Sequence, residues 1–259
     1  MLAIERRNLI LEKLQEEKKV VVSDLSKAYG VSEETIRRDL EKLEKDGFAV
    51  KTYGGAVINE NNNMDLPFVV RKNTNAPGKQ KIAEIISDMI HDGECIMLDA
   101  SSTAVFVAKS IKSKKNMTII TNSIEILFEL SDVSGWKILC TGGAMKEGSL
   151  ALLGHQTEKM LRSFYVDKAI ISCKGIDATK GFTDSSENFA ETKKAMLESS
   201  NEKVLAIDSS KFDKIAFRKI ADLNKLTMVV TDTKPSEQWL SVFESAGVVC
   251  KYPEEEKDE

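Results

Sequence analysis

The sequence predicts an α/β protein in which a small helical unit precedes a larger unit with a mainly parallel sheet. From about residue 79 onward, segments with helical periodicity alternate with short apolar runs. This alternation is typical of β-α-β units, in which helices cover both faces of a parallel sheet. Before residue 59 the apolar residues instead follow a helical period through three segments, and a short stretch with strand-like alternation comes last.

A change in composition separates the two units. Residues 59–65 read Asn-Glu-Asn-Asn-Asn-Met-Asp, and Pro67, Pro77 and Gly78 follow. Because clustered Asn, Pro and Gly favour turns and pack poorly, we expect a linker at residues 59–78. The predicted organisation is an N-terminal domain (1–58), this linker, an α/β domain (79–252) and an acidic tail (253–259).

The N-terminal domain reads as three helices and a ribbon. An apolar stripe predicts the first helix, Ser23 is the expected N-cap of the second, and Ser32 is the expected N-cap of the third. Gly47 is placed to end the third helix. Alternating residues from Phe48 to Tyr53 then predict a strand. The stripe of the first helix consists of Leu2, Leu9, Ile10 and Leu14. This order predicts a winged helix-turn-helix.

Seven apolar runs predict the strands of the larger domain. Their order within the sheet cannot be read from the sequence. The runs are Cys95–Leu98, Thr118–Ile120, Lys137–Cys140, Lys168–Ile171, Val204–Ile207, Leu226–Val230 and Val248–Cys250.

Polar residues and glycines follow most of these runs. In a parallel sheet such positions meet at the carboxyl edge, where α/β proteins bind ligands. Helix starts at this edge favour an anion, two lysines add positive charge, and aspartates can accept hydrogen bonds from hydroxyls. A small anionic ligand with several hydroxyls, such as a sugar phosphate, fits this set. The residues include Asp99, Ser101, Ser102, Thr103, Asn122, Gly142, Gly143, Lys174, Asp208 and Lys211.

A structural role explains many of the same residues. Ser, Thr, Asn and Asp at such points are also ordinary helix caps and turn residues. For any single residue both roles stay open, whereas the two lysines favour a binding site for the set. Neither a dinucleotide-binding nor a P-loop glycine pattern follows any of the predicted strands.

The third helix of the first domain carries candidate contacts to nucleic acid. Its outer face brings together Thr35, Arg38, Lys42 and Lys45, with Arg37 on one flank and Ser32 at the helix start. Arginine suits the guanine edge, and hydroxyls suit phosphates or bases. Residues 1–58 contain 11 basic and 11 acidic side chains, so only the local pattern supports binding to DNA. A winged helix used for protein contacts stays open as an alternative.

Composition excludes several classes of protein. Apolar residues make up 42%, charged residues 30%, and the net charge is −4, which rules out collagen-like and wholly disordered chains. The longest apolar run, Ala104–Ala108, is far too short to span a membrane, and no apolar signal-peptide core follows Met1. We therefore expect a cytoplasmic protein without membrane association.

The sequence contains few residues that could form a metal site or the catalytic triad of a hydrolase. The four cysteines are far apart and lack zinc-site spacing, and the chain contains only two histidines. We expect the cysteines to be buried, reduced thiols, and we expect no metal, no cofactor and no catalytic residue. The cysteines are Cys95, Cys140, Cys173 and Cys250.

One stretch of the third helix carries a specific resemblance. The run Thr35-Ile36-Arg37-Arg38-Asp39-Leu40, with Tyr29-Gly30-Val31-Ser32 before it, resembles the helix-turn-helix signature of DeoR-family transcriptional regulators. Tyr53-Gly54-Gly55-Ala56 resembles the wing motif of that family. Further positions resemble landmarks of the sensor domain of that family. They include Asp99, Ser102-Thr103, Thr121-Asn122-Ser123, Gly142-Gly143 and Asp208 to Phe212.

The resemblance implies a DNA-binding regulator with a sensor domain similar in fold to ribose-5-phosphate isomerase and CoA transferases. It implies a phosphorylated sugar or related metabolite as effector. From the face of the third helix and the wing, the residues expected to bind DNA are Ser32, Thr35, Arg37, Arg38, Lys42, Lys51 and Tyr53. The implied effector-binding residues are Asp99, Ser101, Ser102, Thr103, Asn122, Gly142, Gly143, Lys174, Asp184, Glu191 and Lys211.

We therefore expect a repressor of a sugar-metabolism operon that binds a double-stranded operator as a homodimer or homotetramer. Two half-sites are needed because one winged helix reads only a few base pairs.

The rival class is a sugar-phosphate isomerase with a fused winged helix, in which Asp99 or Asp208 would act as general base and Lys211 would stabilise an enediolate.

Overall fold

The computed structural model describes residues 1–59 and 65–254. The chain folds into two compact units, one ending at Thr74 and the other starting at Asn75. Within the described residues, every helix is too short or too polar to cross a membrane.

The first unit is a winged helix-turn-helix, as the sequence predicts. Its helices are α1 (Ala3–Glu17), α2 (Val22–Tyr29) and α3 (Glu33–Lys45), and its strands are β1 (Lys19–Val21), β2 (Ala49–Thr52) and β3 (Gly55–Ile58). The strands form an antiparallel sheet in the order β1-β3-β2. The helices bury Ile10, Leu14, Leu25, Ile36, Leu40 and Leu43 in a common core.

Two details of the first unit differ from the prediction. Helix α2 begins one residue before Ser23, which therefore lies inside the helix, and the N-cap is Val21, whose side chain forms no capping hydrogen bond. The buried stripe of α1 contains Ile10, Leu11 and Leu14, whereas Leu2 and Leu9 are exposed. Apolar spacing alone could not distinguish these faces, because the partner elements decide which side of α1 is covered.

The predicted linker at residues 59–78 is wrong over much of its length. A short helix, α4 (Phe68–Asn73), belongs to the first unit, where Val70 is fully buried in the core. Asn73 Nδ2 donates to Glu12 of α1 at 2.7 Å. Pro67 directly precedes α4, so a residue that suggested a turn instead marks a helix start. Residues 60–64, within the predicted linker, and 255–259, within the predicted acidic tail, lie outside the described residues.

Pro77 and Gly78 also lie in the first turn of a helix instead of in a linker. Helix α5 (Ala76–Asp88) has Asn75 as its N-cap, and the Asn75 side chain accepts a hydrogen bond from the Gly78 N–H. Proline tolerates this first turn because its missing N–H would have had no partner in the helix. A Cβ at Gly78 would lie 2.5 Å from both the Asn75 and Asp232 side chains, so a larger residue would have to displace this hydrogen-bonded pair.

The second unit is an α/β domain with a seven-stranded parallel sheet in the order β15-β14-β12-β9-β4-β5-β6. Its helices after α5 are α6 (Ser102–Ser110), α7 (Ile124–Glu129), α8 (His155–Leu161), α9 (Glu187–Glu198) and α10 (Glu237–Ser245). Its strands are β4 (Cys95–Leu98), β5 (Thr118–Thr121), β6 (Lys137–Cys140), β7 (Ala144–Lys146), β8 (Ala151–Leu153), β9 (Val166–Ile171), β10 (Gly175–Asp177), β11 (Gly181–Asp184), β12 (Ser200–Ala206), β13 (Arg218–Ala221), β14 (Met228–Val230) and β15 (Val249–Lys251).

The strand order creates a switch point between β4 and β9. From β4 the chain proceeds outward through β5 to β6, and it then returns to the other side of β4 and continues through β9, β12, β14 and β15. In doubly wound sheets the helices diverge at such a point, and a crevice opens beyond the carboxyl ends of the two strands. All seven predicted strands belong to this sheet, and the predicted fold class is confirmed.

Two small antiparallel sheets were not predicted. Strands β7 and β8 form a hairpin, and β10, β11 and β13 form a three-stranded sheet. These strands contain only three or four residues each, too few for a clear alternation. Cys140 also corrects a prediction, because it is exposed at the end of the edge strand β6, whereas Cys173 is buried.

Candidate functional site

Helix α3 presents one face to the core of the first unit and one to solvent. Ser32 caps the helix, accepting a hydrogen bond from the Thr35 N–H at 3.2 Å. Ile36, Leu40 and Leu43 are buried. Two of the predicted DNA-binding residues, Ser32 and Thr35, therefore also have a structural role at the helix start.

A buried ion pair fixes α3 against α1. Arg6 Nε lies 2.5 Å from Asp39 Oδ2, and Arg7 Nη1 lies 3.6 Å from the other oxygen of that carboxylate. Arg6 and Asp39 are both buried. Since a buried charge without its partner is costly, this pair favours one rotation of α3 about its axis.

The outer face of α3 exposes the arginines predicted to contact DNA. The side chains of Arg37 and Arg38 are 49% and 76% exposed. Each pairs with the glutamate four residues earlier, Arg37 with Glu33 at 2.8 Å and Arg38 with Glu34 at 3.2 Å. Exposed pairs of this kind contribute about 0–1 kcal/mol, so an incoming phosphate or base can replace the glutamates at little cost.

The wing, formed by β2, β3 and the turn between them, exposes two further residues that were predicted to bind DNA. Lys51 on β2 pairs with Glu41 of α3 at 3.0 Å, and its backbone N–H donates to Glu44. Tyr53 is fully exposed in the turn between β2 and β3. Gly54 follows with a φ of +85°, a left-handed conformation that favours glycine. On α3, Lys42 pairs with Asp46 at 2.7 Å, near the end of the helix.

Asp99 joins the two central strands of the second unit at the switch point. It follows β4 directly and is 1% exposed. Its Oδ1 accepts from the Ser101 N–H and its Oδ2 from the Ser172 N–H, both at 3.0 Å. Because Ser172 follows β9, one carboxylate accepts backbone hydrogen bonds from the ends of both strands. The sequence predicted that Asp99 lies here, but not that it is held by the backbone of the next strand.

Lys193 completes this cluster, although the sequence did not predict it as a site residue. It is buried on α9, pairs closely with Asp184 of β11, and lies 3.5 Å from Asp99 Oδ2. Burial alone would lower the pKa of Lys193, but the carboxylates of Asp184 and Asp99 outweigh it, and the pKa is raised above its usual value. One signal could have found Lys193, since it shares a helix face with apolar residues such as Ala190 and Met196.

The start of α6 lies at the same edge of the sheet. Ser101 caps the helix, accepting from the Ala104 N–H at 3.1 Å, which supports the capping role. Ser102 and Thr103 form the first turn and are buried. The N–H groups of a helix's first turn and the helix dipole favour an anion, so this turn could bind a phosphate.

Asn122 and the glycine turn frame the other side of β4. Thr121 pairs with Leu98 in the sheet, so Asn122 lies one row further along, beside Asp99. The turn Gly142-Gly143 follows β6, and the Gly142 carbonyl accepts from the Thr157 hydroxyl at 2.7 Å. A Cβ at Gly143 would lie 2.2 Å from that hydroxyl oxygen, so packing already requires this glycine.

Lys211 belongs to a neighbouring cluster at the ends of β12 and β14. Its Nζ lies 3.7 Å from Asp208 Oδ2. Asp232, which follows β14, accepts hydrogen bonds from the Ser209 N–H and the Asn75 amide. Burial raises the pKa of Asp208, but Lys211, Ser210 and Lys79 together outweigh it, so that the pKa lies below its usual value. Lys211 and Asp99 therefore lie in separate clusters at one edge of the sheet.

Cys173 lies between these two clusters in the chain and on the sheet. It follows Ser172 after β9, the strand between β4 and β12. Burial raises the pKa of its thiol to about 12, although Lys193 and Lys211 both act to lower it. A thiol this far from ionisation is unreactive, which agrees with a structural role.

Two further residues predicted to bind the effector are Glu191 and Lys174. Glu191 pairs with Lys194 at 2.8 Å and with Arg218 at 3.5 Å, and the hydrogen bond from Lys194 is the main cause of its lowered pKa. Lys174 is half-buried, and its backbone N–H donates to the Thr183 carbonyl. Glu191 thus takes part in an ion-pair group that is separate from Asp99 and Lys193.

Comparison with known proteins assigns both units to domains of one protein family. The model of the DeoR-like helix-turn-helix domain matches residues 6–62, and the model of the DeoR C-terminal sensor domain matches residues 74–233. Together these matches cover most of the chain.

Curated relatives are similar along nearly their whole length. The HTH-type transcriptional regulator YulB of Bacillus subtilis (strain 168) is 39% identical, covering 90% of each chain. A putative aga operon transcriptional repressor of Escherichia coli O157:H7 is 31% identical, covering 94% of this chain and 91% of its own. The L-fucose operon activator of Haemophilus influenzae (strain ATCC 51907 / DSM 11121 / KW20 / Rd) is 35% identical, covering 88% and 91%.

Among solved structures, ribose 5-phosphate isomerase A from Methanocaldococcus jannaschii is similar over 53% of this chain and 55% of its own, with 18% identity and a TM-score of 0.39. The full-length relatives are regulators, so the alternative of an isomerase with a fused winged helix is set aside. The chain belongs to the DeoR family of DNA-binding transcriptional regulators.

Proposed function

We propose that this regulator represses a sugar-metabolism operon and that a phosphorylated sugar, bound at the carboxyl edge of the large sheet, modulates its affinity for the operator. The observation that carries the proposal is the position of Asp99. It bridges β4 and β9 at the switch point, beside the first turn of α6. Carboxylate acceptors for hydroxyls and a helix start for a phosphate are thus near each other.

On the DNA side, α3 enters the major groove. Arg37 and Arg38 exchange their glutamate partners for base edges, while Lys42 and Lys51 contact phosphates. Tyr53 contacts DNA from the wing. The Asp39–Arg6 pair supports this arrangement because it favours one rotation of α3 about its axis.

On the effector side, Lys211 provides positive charge from the end of β12. A ligand can change DNA affinity only if two conformations of the sensor domain bind it unequally. A coupling of about 1–3 kcal/mol is enough to shift operator occupancy without very tight effector binding.

The regulator acts as a homodimer or homotetramer. Two DNA-binding heads are needed for operator affinity, and the sensor domain is the larger body in which an interface can form. Sedimentation of the full-length protein tests this directly. A monomeric full-length protein that binds its operator with full affinity would contradict it.

A gel shift against the DNA upstream of the regulator's own gene tests the function. The experiment compares the wild type, Asp99→Ala and Lys211→Ala with and without a panel of sugar phosphates. We expect Lys211→Ala to bind the operator normally but to lose the response, and calorimetry should show the loss of ligand binding. Because Asp99 is buried and holds two backbone N–H groups, the melting temperature of Asp99→Ala must first show that it has folded, and the same result is then expected of it. If both variants keep the full response, the effector site lies elsewhere.

A further inference from the structure

Three buried side-chain oxygens in the described parts of the chain, residues 1–59 and 65–254, have no hydrogen-bond partner in the protein. They are Asn122 Oδ1, Ser186 Oγ and Thr192 Oγ1. Asn122 is 2% exposed and Thr192 is 1% exposed. A few such atoms occur in most proteins, so their number alone means little. Their shared location, however, indicates a binding site.

Each is linked, by sequence position or by a hydrogen bond, to one small apolar cluster, formed by Ala100, Ala151, Leu153 and Phe189. Phe189 lies three residues after Ser186, the N-cap of α9, and three before Thr192, so the three residues follow one row that starts at the end of the helix. On the opposite side, Asn122 Nδ2 donates to the carbonyl of Leu152 at 2.9 Å, in the middle of β8. The cluster thus brings α9, β8 and the turn after Asp99 together.

The bond to Leu152 fixes the orientation of the Asn122 amide. The Nδ2 group must face the carbonyl, because the reverse orientation would place two acceptors against each other. Oδ1 is therefore an acceptor that needs a donor from outside the chain. Ser186 and Thr192 can each donate and accept. Ser186 is only half-buried, so this row approaches solvent at its first residue.

A ligand with an apolar face and several hydroxyls matches this combination. The C–H face of a sugar ring can pack on small apolar side chains and an aromatic ring, while its hydroxyls supply one donor and two exchangeable partners. We propose that Asn122, Ser186 and Thr192 bind the hydroxyl groups of the effector and determine which sugar is accepted. This assignment rests on the proposed function and deepens it. It assigns recognition of the sugar hydroxyls and binding of the phosphate to different residues.

The assignment predicts opposite effects on stability and on binding. Removing a buried hydroxyl that has no partner costs the folded protein nothing, so Thr192→Val should keep or raise the melting temperature. The same change should weaken effector binding by about three- to tenfold, the range expected for one lost hydrogen bond. A hydroxyl with a purely structural role would lower the melting temperature and leave effector binding unchanged.

Ser186→Ala has a matched control in Ser200→Ala. The Ser200 hydroxyl is also buried, but it donates to the Leu197 carbonyl and begins β12 at the opposite edge of the sheet. We expect Ser186→Ala to weaken effector binding and Ser200→Ala to change only the melting temperature. Asn122→Ala serves as a third variant, with the melting temperature showing whether it has folded.

Calorimetry on the full-length protein provides the test. The probes are glucose 6-phosphate, galactose 6-phosphate, fructose 6-phosphate, ribose 5-phosphate and inorganic phosphate, followed by deoxy analogues of any sugar phosphate that binds. We expect one deoxy analogue to bind the wild type more weakly, and this penalty should shrink in Thr192→Val or Asn122→Ala. That loss of the penalty distinguishes direct contact from an indirect effect.

Two different failures are distinguishable. If a sugar phosphate binds the wild type and all three variants equally, this assignment is wrong while the proposed function stands. If no sugar phosphate binds the wild type, the proposed effector class is wrong, and the assignment falls with it.

Discussion

The exposed face of α3 and the carboxyl edge of the large sheet hold charged groups in opposite ways. On α3, Arg37 and Arg38 are exposed and pair with glutamates one turn away on the same helix. At the sheet edge, Asp99 and Lys193 are buried, and each has a partner far away in the sequence, Ser172 for Asp99 and Asp99 for Lys193. The first arrangement leaves arginines free to change partners, whereas the second holds its charges in place.

This difference fits the two tasks that the proposed function requires. A DNA-binding surface must exchange its own ion pairs for phosphates and bases, so weak, exposed pairs suit it. An effector site must hold its groups in position before the ligand arrives, because ordering them later would weaken binding. The largest contrast should appear when one charge is removed from each region.

The largest expected effect is on stability, from Lys193→Met. Removing this ammonium group leaves Asp99 and Asp184 buried without its charge, so the free energy of unfolding should fall by about 3–5 kcal/mol. Urea unfolding measures the change. The neighbouring Lys194 is the matched control, since it is partly exposed and pairs with Glu191. We expect Lys194→Met to cost under about 1 kcal/mol. Equal losses in both variants would remove the contrast between the two regions.

The next effect is on operator binding, from Arg37→Ala and Arg38→Ala. Each should weaken specific binding by about 1–3 kcal/mol if the lost contact is to a base, while the stability of the protein stays nearly unchanged. Titration of a labelled operator measures the affinity. Lys13→Ala is a control on α1, where Lys13 pairs with Glu17 outside the proposed interface. Unchanged operator affinity in both arginine variants would rule out this orientation of α3.

A smaller effect concerns Lys42 and Lys51, which we place on phosphates. Loss of either should lower affinity for all sequences alike, and should flatten the salt dependence of binding by about one unit of slope. Affinities for the operator and an unrelated duplex at several salt concentrations measure this. A loss confined to the operator would mean that the lysine contacts a base.

The smallest expected effect is the contribution of Asp208 to stability in acid. Its pKa is lowered in the folded protein, although burial opposes this, because Lys211, Ser210 and Lys79 favour the ionised form. Ionised Asp208 therefore stabilises the fold above its unfolded pKa of about 4, and this contribution is lost as pH falls through the lower, folded pKa. Unfolding measured from pH 6 to pH 2 should show a shallower decline for Asp208→Asn. An identical decline in the variant would contradict the prediction.

Much of the fold could be predicted because it depends on local patterns. The run from Thr35 to Leu40 fixes both a helix and its buried face, since apolar spacing and a serine cap act within a few residues. The seven strands of the large sheet were found for the same reason. The helix α4 was missed because Pro67, read as a turn residue, in fact marks a helix start.

The sequence by itself determined the two domain types, the family, and the positions that end the parallel strands. Only the tertiary structure decided which of those positions meet. Asp99 contacts Ser172 because β4 and β9 are neighbours, and Lys193 joins them because α9 packs beside that edge. Lys211 and Glu191 were grouped with Asp99 by the sequence, yet each has other partners in the structure. The physical reason is that strand order and helix packing depend on contacts between distant residues, which no local spacing encodes.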